Sequence, residues 1–197
     1  MNIHSVLASH HESEKAEAIL IAALELFVER GFHGTSVPSV ADRAGVAAGT
    51  IYHYFASKEA LVNTLYKRWK GAVGAAVVES FPAAAPMREQ FKSVWGRMAE
   101  FAIANPKVLA FLEFHHHASY LDAESIATQQ QVFAFGVRVV EAAQAAQALK
   151  PIPAALLLEF ANGAFLGVFR AATAGRLPLT KETFMLAEQC AWEAVRA

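Results

Sequence analysis

The run Gly31-Phe-His-Gly-Thr-Ser-Val-Pro-Ser-Val-Ala-Asp-Arg-Ala-Gly-Val-Ala-Ala-Gly-Thr-Ile-Tyr-His-Tyr-Phe55 holds two short helical segments divided by one glycine. Thr35 or Ser36 can cap a helix that reaches Ala44, because a hydroxyl accepts from the orphan N–H groups of a first turn. Pro38 suits that first turn, where amides have no intrahelical partner. Gly45 breaks the chain, and a second short helix is predicted over Ala48–Tyr54. Two short helices braced across a tight glycine turn make a helix-turn-helix plan. Ala41 is small enough to allow close approach, and Val46 is expected to fill the angle. A helix presented this way fits the major groove of B-form DNA. Its outward residues would be Ala48, Gly49, Thr50, Tyr52, His53 and Tyr54. The small residues at the front allow deep seating, and the hydroxyls can reach phosphates or a base edge. Lys58 follows at a helix start, where its charge and the backbone donors both favour a phosphate.

Working outward, Ala16, Ile19, Leu20, Ala23, Leu24, Phe27 and Val28 form one continuous helical face that Gly31 ends. Residues 1–12 read as a polar, flexible tail. Ser57 caps a fourth helix from Lys58-Glu59, and Phe81-Pro-Ala-Ala-Ala-Pro86 is a linker. A helix follows over Met87–Ala104. Asn105-Pro106 reads as an N-cap followed by proline, opening the next helix. A long helix is expected from Asp122 to Leu149. Pro151 and Pro153 divide it from another over Ala154–Ala174, and Thr180 caps a last one over Lys181–Arg196. No segment alternates at period two, so the expected class is all-α with about nine helices. The expected division is a tail (1–12), a DNA-binding domain (13–60, helix-turn-helix about 36–55) and a ligand-binding and dimerisation domain (61–197).

The 197 residues are 55% apolar and carry a net charge of −1, ample for a core and without a global basic signature. Nucleic-acid binding must then rest on local charge. Between residues 31 and 70, Arg43, Lys58, Lys67, Arg68 and Lys70 face only Asp42 and Glu59. The lone Cys190 excludes an internal disulfide. The N-terminus has no secretory pattern. The one membrane candidate, Ala154–Ala172, contains Glu159, Asn162 and Arg170, which favours a buried helix over a bilayer span. A cytoplasmic protein with no membrane partner is expected.

The second part is rich in aromatic residues, most of them read as core. A ligand pocket needs apolar walls with a few polar groups. The candidates are Trp95, Phe111, His115, His116, Tyr120, Phe133 and Asn162, with Asn162 the foremost polar one. His115-His116-His117 invites a metal reading, but adjacent helical residues point about 100° apart and cannot all face one ion. A helix C-terminal cap is the simpler reading. No nucleophile–base set and no cofactor motif stand out. The Ala154–Ala174 helix is apolar nearly all round and must be covered on every side. Gly163, Ala164 and Gly167, with Cys190 and Trp192 on the last helix, are the candidate contacts to a second copy.

Gly31-Phe-His-Gly-Thr-Ser36, Val40-Ala-Asp-Arg-Ala-Gly-Val46, Gly49-Thr-Ile-Tyr-His-Tyr-Phe55 and Ser57-Lys-Glu-Ala-Leu61, preceded by Ile19-Leu20 and Leu26-Phe27, resemble the tetracycline-repressor (TetR) family over about residues 13–70. The resemblance implies nine helices, a DNA-binding head, a ligand-binding body and a two-fold dimer, with recognition helices about 34 Å apart. Thr35 and Ser36 resemble its helix-two cap on phosphate, Thr50, Tyr52, His53 and Tyr54 its recognition contacts, and Lys58 its phosphate-binding lysine. Pro38, Val37, Ala48 and Gly49 depart from the pattern by offering no side-chain hydrogen bond, so DNA shape should carry more of the recognition. The expectation is a homodimeric regulator of double-stranded operator DNA, a repressor released by a hydrophobic small molecule. The alternatives are a helical ligand-binding protein without DNA binding and a metal-dependent enzyme using His115–His117.

Overall fold

A computed structural model describes residues 3–78, 81–114 and 119–197. Among the described residues there are nine helices and no strand: α1 (Ile3–Arg30), α2 (Val37–Ala44), α3 (Ala48–Tyr54), α4 (Lys58–Val78), α5 (Met87–Ala104), α6 (Pro106–Phe114), α7 (Ala123–Ala145), α8 (Ala154–Thr173) and α9 (Lys181–Val195). They form two compact units. One holds the chain to Trp69 together with residues 107–125, and the other holds residues 70–106 and 126–197.

In the first unit α1 supplies the wall. Ile19, Ala22, Ala23, Leu26 and Phe27 are sealed from solvent. Val37, Val40 and Ala41 of α2, Ile51 of α3, Leu61 and Leu65 of α4 and Phe111 of α6 complete this core. Phe27 stacks between Phe32 and Phe111, with centroids 6.1 and 6.2 Å away. Gly31 closes α1 at φ +69° with its N–H on Phe27 O. The expected tail over 1–12 is corrected. From Ile3 onward it is the first turns of α1, since nothing between Ile3 and Arg30 is a glycine or a proline.

In the second unit Trp95 of α5 packs edge-on against Phe165 of α8 at 5.3 Å, and Phe165 stacks on Phe184 of α9 at 4.9 Å. A second cluster joins Ala143, Leu149, Leu157 and Val195 with Met87, Phe91, Val140 and Trp192. The chain end is stitched down by Lys150 N–H on Val195 O (3.0 Å) and Ala197 N–H on Ala148 O (3.2 Å).

The end of α7 differs from expectation. α7 stops at Ala145 rather than Leu149, because Gln147 takes a left-handed conformation (φ 57°) and Ala148 N–H returns to Ala143 O. α5 ends at Ala104 and α6 begins at Pro106, as expected; Asn105 between them also closes α5, with its backbone N–H (2.8 Å) and side-chain amide (3.2 Å) both on Phe101 O.

Glu188 on α9 is wholly buried and takes a two-pronged hydrogen bond from Arg88 of α5, whose guanidinium also lies over the Trp192 ring. A desolvated carboxylate is tolerable only when paired. Arg88→Ala should therefore lower the unfolding free energy by about 3 kcal/mol, read as a shifted denaturant midpoint. A change near zero would mean the pair does not hold α5 to α9.

Candidate nucleic-acid interface

The helix-turn-helix is set by its caps. The Ser36 hydroxyl accepts from Ser39 N–H at 3.2 Å, and the Ser39 hydroxyl accepts from Ser36 N–H at 3.2 Å, so each end of this first turn satisfies the other. Gly45 ends α2 at φ 68°, ψ 33°, a left-handed conformation that a side chain disfavours. Val46 N–H then bonds Ala41 O at 3.0 Å, pinning the turn. Ala47 extends the chain into α3, whose one buried residue is Ile51.

With Ile51 inward, the rest of α3 faces away from the core. Ala48, Gly49 and His53 are exposed, Tyr52 is 58% exposed, and Thr50 and Tyr54 are half-buried. The Tyr54 ring meets His53 edge-on at 5.2 Å. Ser36 and Pro38 are exposed at the start of α2, whereas Val37 is buried.

Thr35 is a correction. It is 1% exposed, and its hydroxyl donates to Leu26 O (3.1 Å) and Gly31 O (2.8 Å), so it ties the end of α1 to the start of α2 and cannot face a phosphate. Lys58 has a structural task that the sequence did not reveal. Its Nζ donates to Phe32 O and Thr35 O, both at 2.8 Å, and sits 4.0 Å from the Phe32 ring centroid.

Four other cations of this unit, Arg43, Lys67, Arg68 and Lys107, are paired with acids. Arg43 donates to Glu29 and Glu25, and these hydrogen bonds raise its already high pKa. Lys107 and then Arg43 hold the Glu25 carboxyl below its usual range. Lys67 pairs with Glu124 and Asp122, and Arg68 with Glu17. The basic excess over residues 31–70 is therefore met by acids from α1 and from residues 122–124. An open, polar groove of about 490 Å³, lined by Leu26, Arg30, Ser39, Asp42 and Arg43, lies beside α2 and was not foreseen.

The candidate pocket residues fall in both units. Phe111 is core of the first unit, and Tyr120 stacks on Phe32 there at 3.8 Å. In the second unit Trp95 is core, its indole N–H donating to Phe184 O at 2.8 Å, while Phe133 is exposed and Asn162 half-buried. His115, His116 and His117 lie outside the described residues. Of the candidate interface residues, Gly163, Gly167 and Cys190 are exposed and Ala164 is half-buried. Trp192 instead turns into its own unit against Phe91 at 5.4 Å.

A family model described as bacterial regulatory proteins, tetR family, matches residues 19–70, and one described as tetracyclin repressor-like, C-terminal domain, matches residues 72–197. The chain belongs to the TetR family. An uncharacterized HTH-type transcriptional regulator of Haemophilus influenzae is 31% identical over 102 residues, 52% of this chain and 54% of that protein. The HTH-type transcriptional repressor KstR2 of Mycobacterium tuberculosis is 30% identical over 127 residues, 62% of this chain and 58% of that protein. The matches thus span little more than half the length of these relatives. A TetR-family transcription regulator of Marinobacter aquaeolei has the same fold with TM-score 0.82 and 25% identity, covering 95% of this chain and 98% of that one.

Gly45 and Gly49 separate fold from interface. Gly45→Ala should cost about 1 kcal/mol of stability, because alanine is strained at this φ. A Cβ at Gly49 meets nothing within 4 Å. Gly49→Ala should leave the unfolding midpoint undiminished yet weaken DNA binding. Undiminished DNA binding by Gly49→Ala would remove the front of α3 from the interface.

Proposed function

We propose that the protein is a dimeric transcriptional repressor that grips operator DNA with α2 and α3 and is released by an apolar small molecule. The observation that carries the reading is α3 itself. Its one buried side chain is Ile51, while Tyr52, His53, Ala48 and Gly49 point outward from a fixed helix-turn-helix. A bare helix face of this size is suited to the major groove. Ser36, Thr50, Tyr52 and Tyr54 would supply neutral hydrogen bonds to phosphates, and Lys58 its one remaining proton. Repression by KstR2 and membership of the family support the direction of control. The site of action would be the cytoplasm, where the chromosome is accessible.

Dimerisation through α8 and α9 is part of the proposal. Leu156 (57% exposed), Phe160 (53%), Gly163 and Gly167 form one outward stripe on α8, and Leu186 (65%) and Cys190 lie outward on α9. The same α8 is long and apolar enough to cross a membrane by length and composition. A second copy packed on it explains that composition without a bilayer. An apolar effector suits a body in which Phe133 and Asn162 are at least partly exposed between aromatic core positions.

Binding to DNA from upstream of the protein's own gene, followed by anisotropy between about 50 and 200 mM salt, tests the reading. Because Arg43, Lys67 and Arg68 are paired within the chain, the slope of log K against log salt should be shallow, about −4 or less in magnitude for the dimer. Tyr52→Ala should weaken binding about tenfold with the fold unchanged. A protein that binds no duplex at any salt would leave the ligand-binding alternative standing. For assembly, Gly163→Arg places a charge where a Cβ meets nothing within 4 Å. It should halve the mass measured by light scattering, and an intact dimer would move the interface elsewhere.

A further inference from the structure

Among the described residues four polar side chains are buried: Thr35, Asn63, Ser125 and Glu188. Three of them belong to one network in the first unit. Asn63 of α4 uses all of its hydrogen-bonding capacity. Its amide N–H groups donate to Glu59 O (2.9 Å) and Tyr120 O (2.8 Å), and its oxygen accepts from Asp122 N–H and the Ser125 hydroxyl, both at 2.8 Å. Asp122 in turn accepts from Ser125 N–H at 2.8 Å, a bond that caps α7 and holds the Asp122 carboxyl below its usual range. Lys67 adds an ion pair to Glu124. The segment 119–125 is thereby fastened to α4 at its backbone.

From this anchor the network reaches the helix-turn-helix. The Tyr120 ring lies flat on Phe32 at 3.8 Å, and its hydroxyl bonds the His33 ring. Phe32 carries Lys58 on its ring and accepts from it through its carbonyl. Lys58 also binds Thr35 O, and Thr35 links Leu26 O and Gly31 O. Ser36, the cap of α2, is the next residue. Each step is an aromatic stack or a hydrogen bond with a stated partner.

We propose that Asn63 and Tyr120 are positioning residues for DNA binding: they clamp segment 119–125 onto the α1–α2 corner and so fix the orientation from which α2 and α3 meet the duplex. This rests on the reading of the chain as a DNA-binding regulator. A head that samples other orientations binds with an apparent affinity reduced by the fraction in the competent one.

Tyr120→Leu removes both the stack and the hydroxyl, and Tyr120→Phe keeps the stack. Hydrogen exchange of the Gly31 and Thr35 amides, bonded to Phe27 O and Phe32 O, reports on the corner whether or not DNA binds. In Tyr120→Leu these amides should exchange about tenfold faster, the size of one lost aromatic stack, with residues 184–195 unchanged. Operator affinity should fall by a similar factor while binding to random duplex changes less than twofold. Tyr120→Phe should stay within about twofold of wild type on both measures. A folded Tyr120→Leu dimer with wild-type exchange at Gly31 and Thr35 would overturn the clamp, as would wild-type operator affinity. Should Tyr120→Leu fail to fold, Ser125→Ala, which removes one of the four Asn63 bonds, must show a smaller change of the same sign. A wild type that binds no DNA defeats the regulator reading and leaves exchange to decide the clamp.

Discussion

The buried face of α1 is the constraint on which the first unit depends. A helix of seven or eight residues has little stability of its own. Neither α2 nor α3 could persist without a surface to stand on. Ile19, Ala22, Ala23, Leu26 and Phe27 provide it. Because α1 already offers a closed apolar wall, α3 needs to bury only Ile51 to be held. The remainder of its surface is left outward. Exposure of α3 therefore follows from how little of it the core requires.

Electrostatics narrows what that exposed face can do. The acids that neutralise Arg43 come from α1, and those that neutralise Lys67 come from residues 122–124. Surface pairs of this kind contribute little stability, but they occupy cations that would otherwise attract phosphate at long range. On the proposed function, recognition would then rest on hydroxyls, aromatic edges, the remaining proton of Lys58 and the fit of small residues into a groove. Binding of that type gains less from counterion release and depends more on where the helix is held.

Local signals in the sequence account for most of the fold. Ser36, Gly45, Pro153 and Thr180 act through their own backbone neighbours, so the helix ends they set lie where the sequence indicates. The end of α7 is different, because the left-handed turn at Gln147 depends on carbonyls supplied by the helix behind it. The site was legible in outline only. The outward residues of α3 follow from the position of Ile51. The inward turn of Thr35 and the engagement of Lys58 depend on partners nine and twenty-six residues away. Trp95 and Phe111 have the composition of pocket walls and the surroundings of core, and only packing tells these apart. Asn63 carries a signal in the sequence, since it stands with Thr64 between the apolar pairs Leu61-Val62 and Leu65-Tyr66.

The placement of the buried polar groups shows what this unit is built to secure. Apolar side chains of similar volume could fill the space around Asn63 and Ser125 with no loss of stability, since buried polar groups roughly break even against well-packed hydrophobes. Such a core would tolerate several arrangements of segment 119–125 against α4. A fully satisfied amide tolerates one, because any other strands a donor or an acceptor away from water. On the proposed function, a protein that must set a seven-residue helix against a duplex would gain more from that single arrangement than from additional free energy of folding. The hydrogen-bonding demands of Asn63 are therefore better understood as a restriction on geometry than as a contribution to stability.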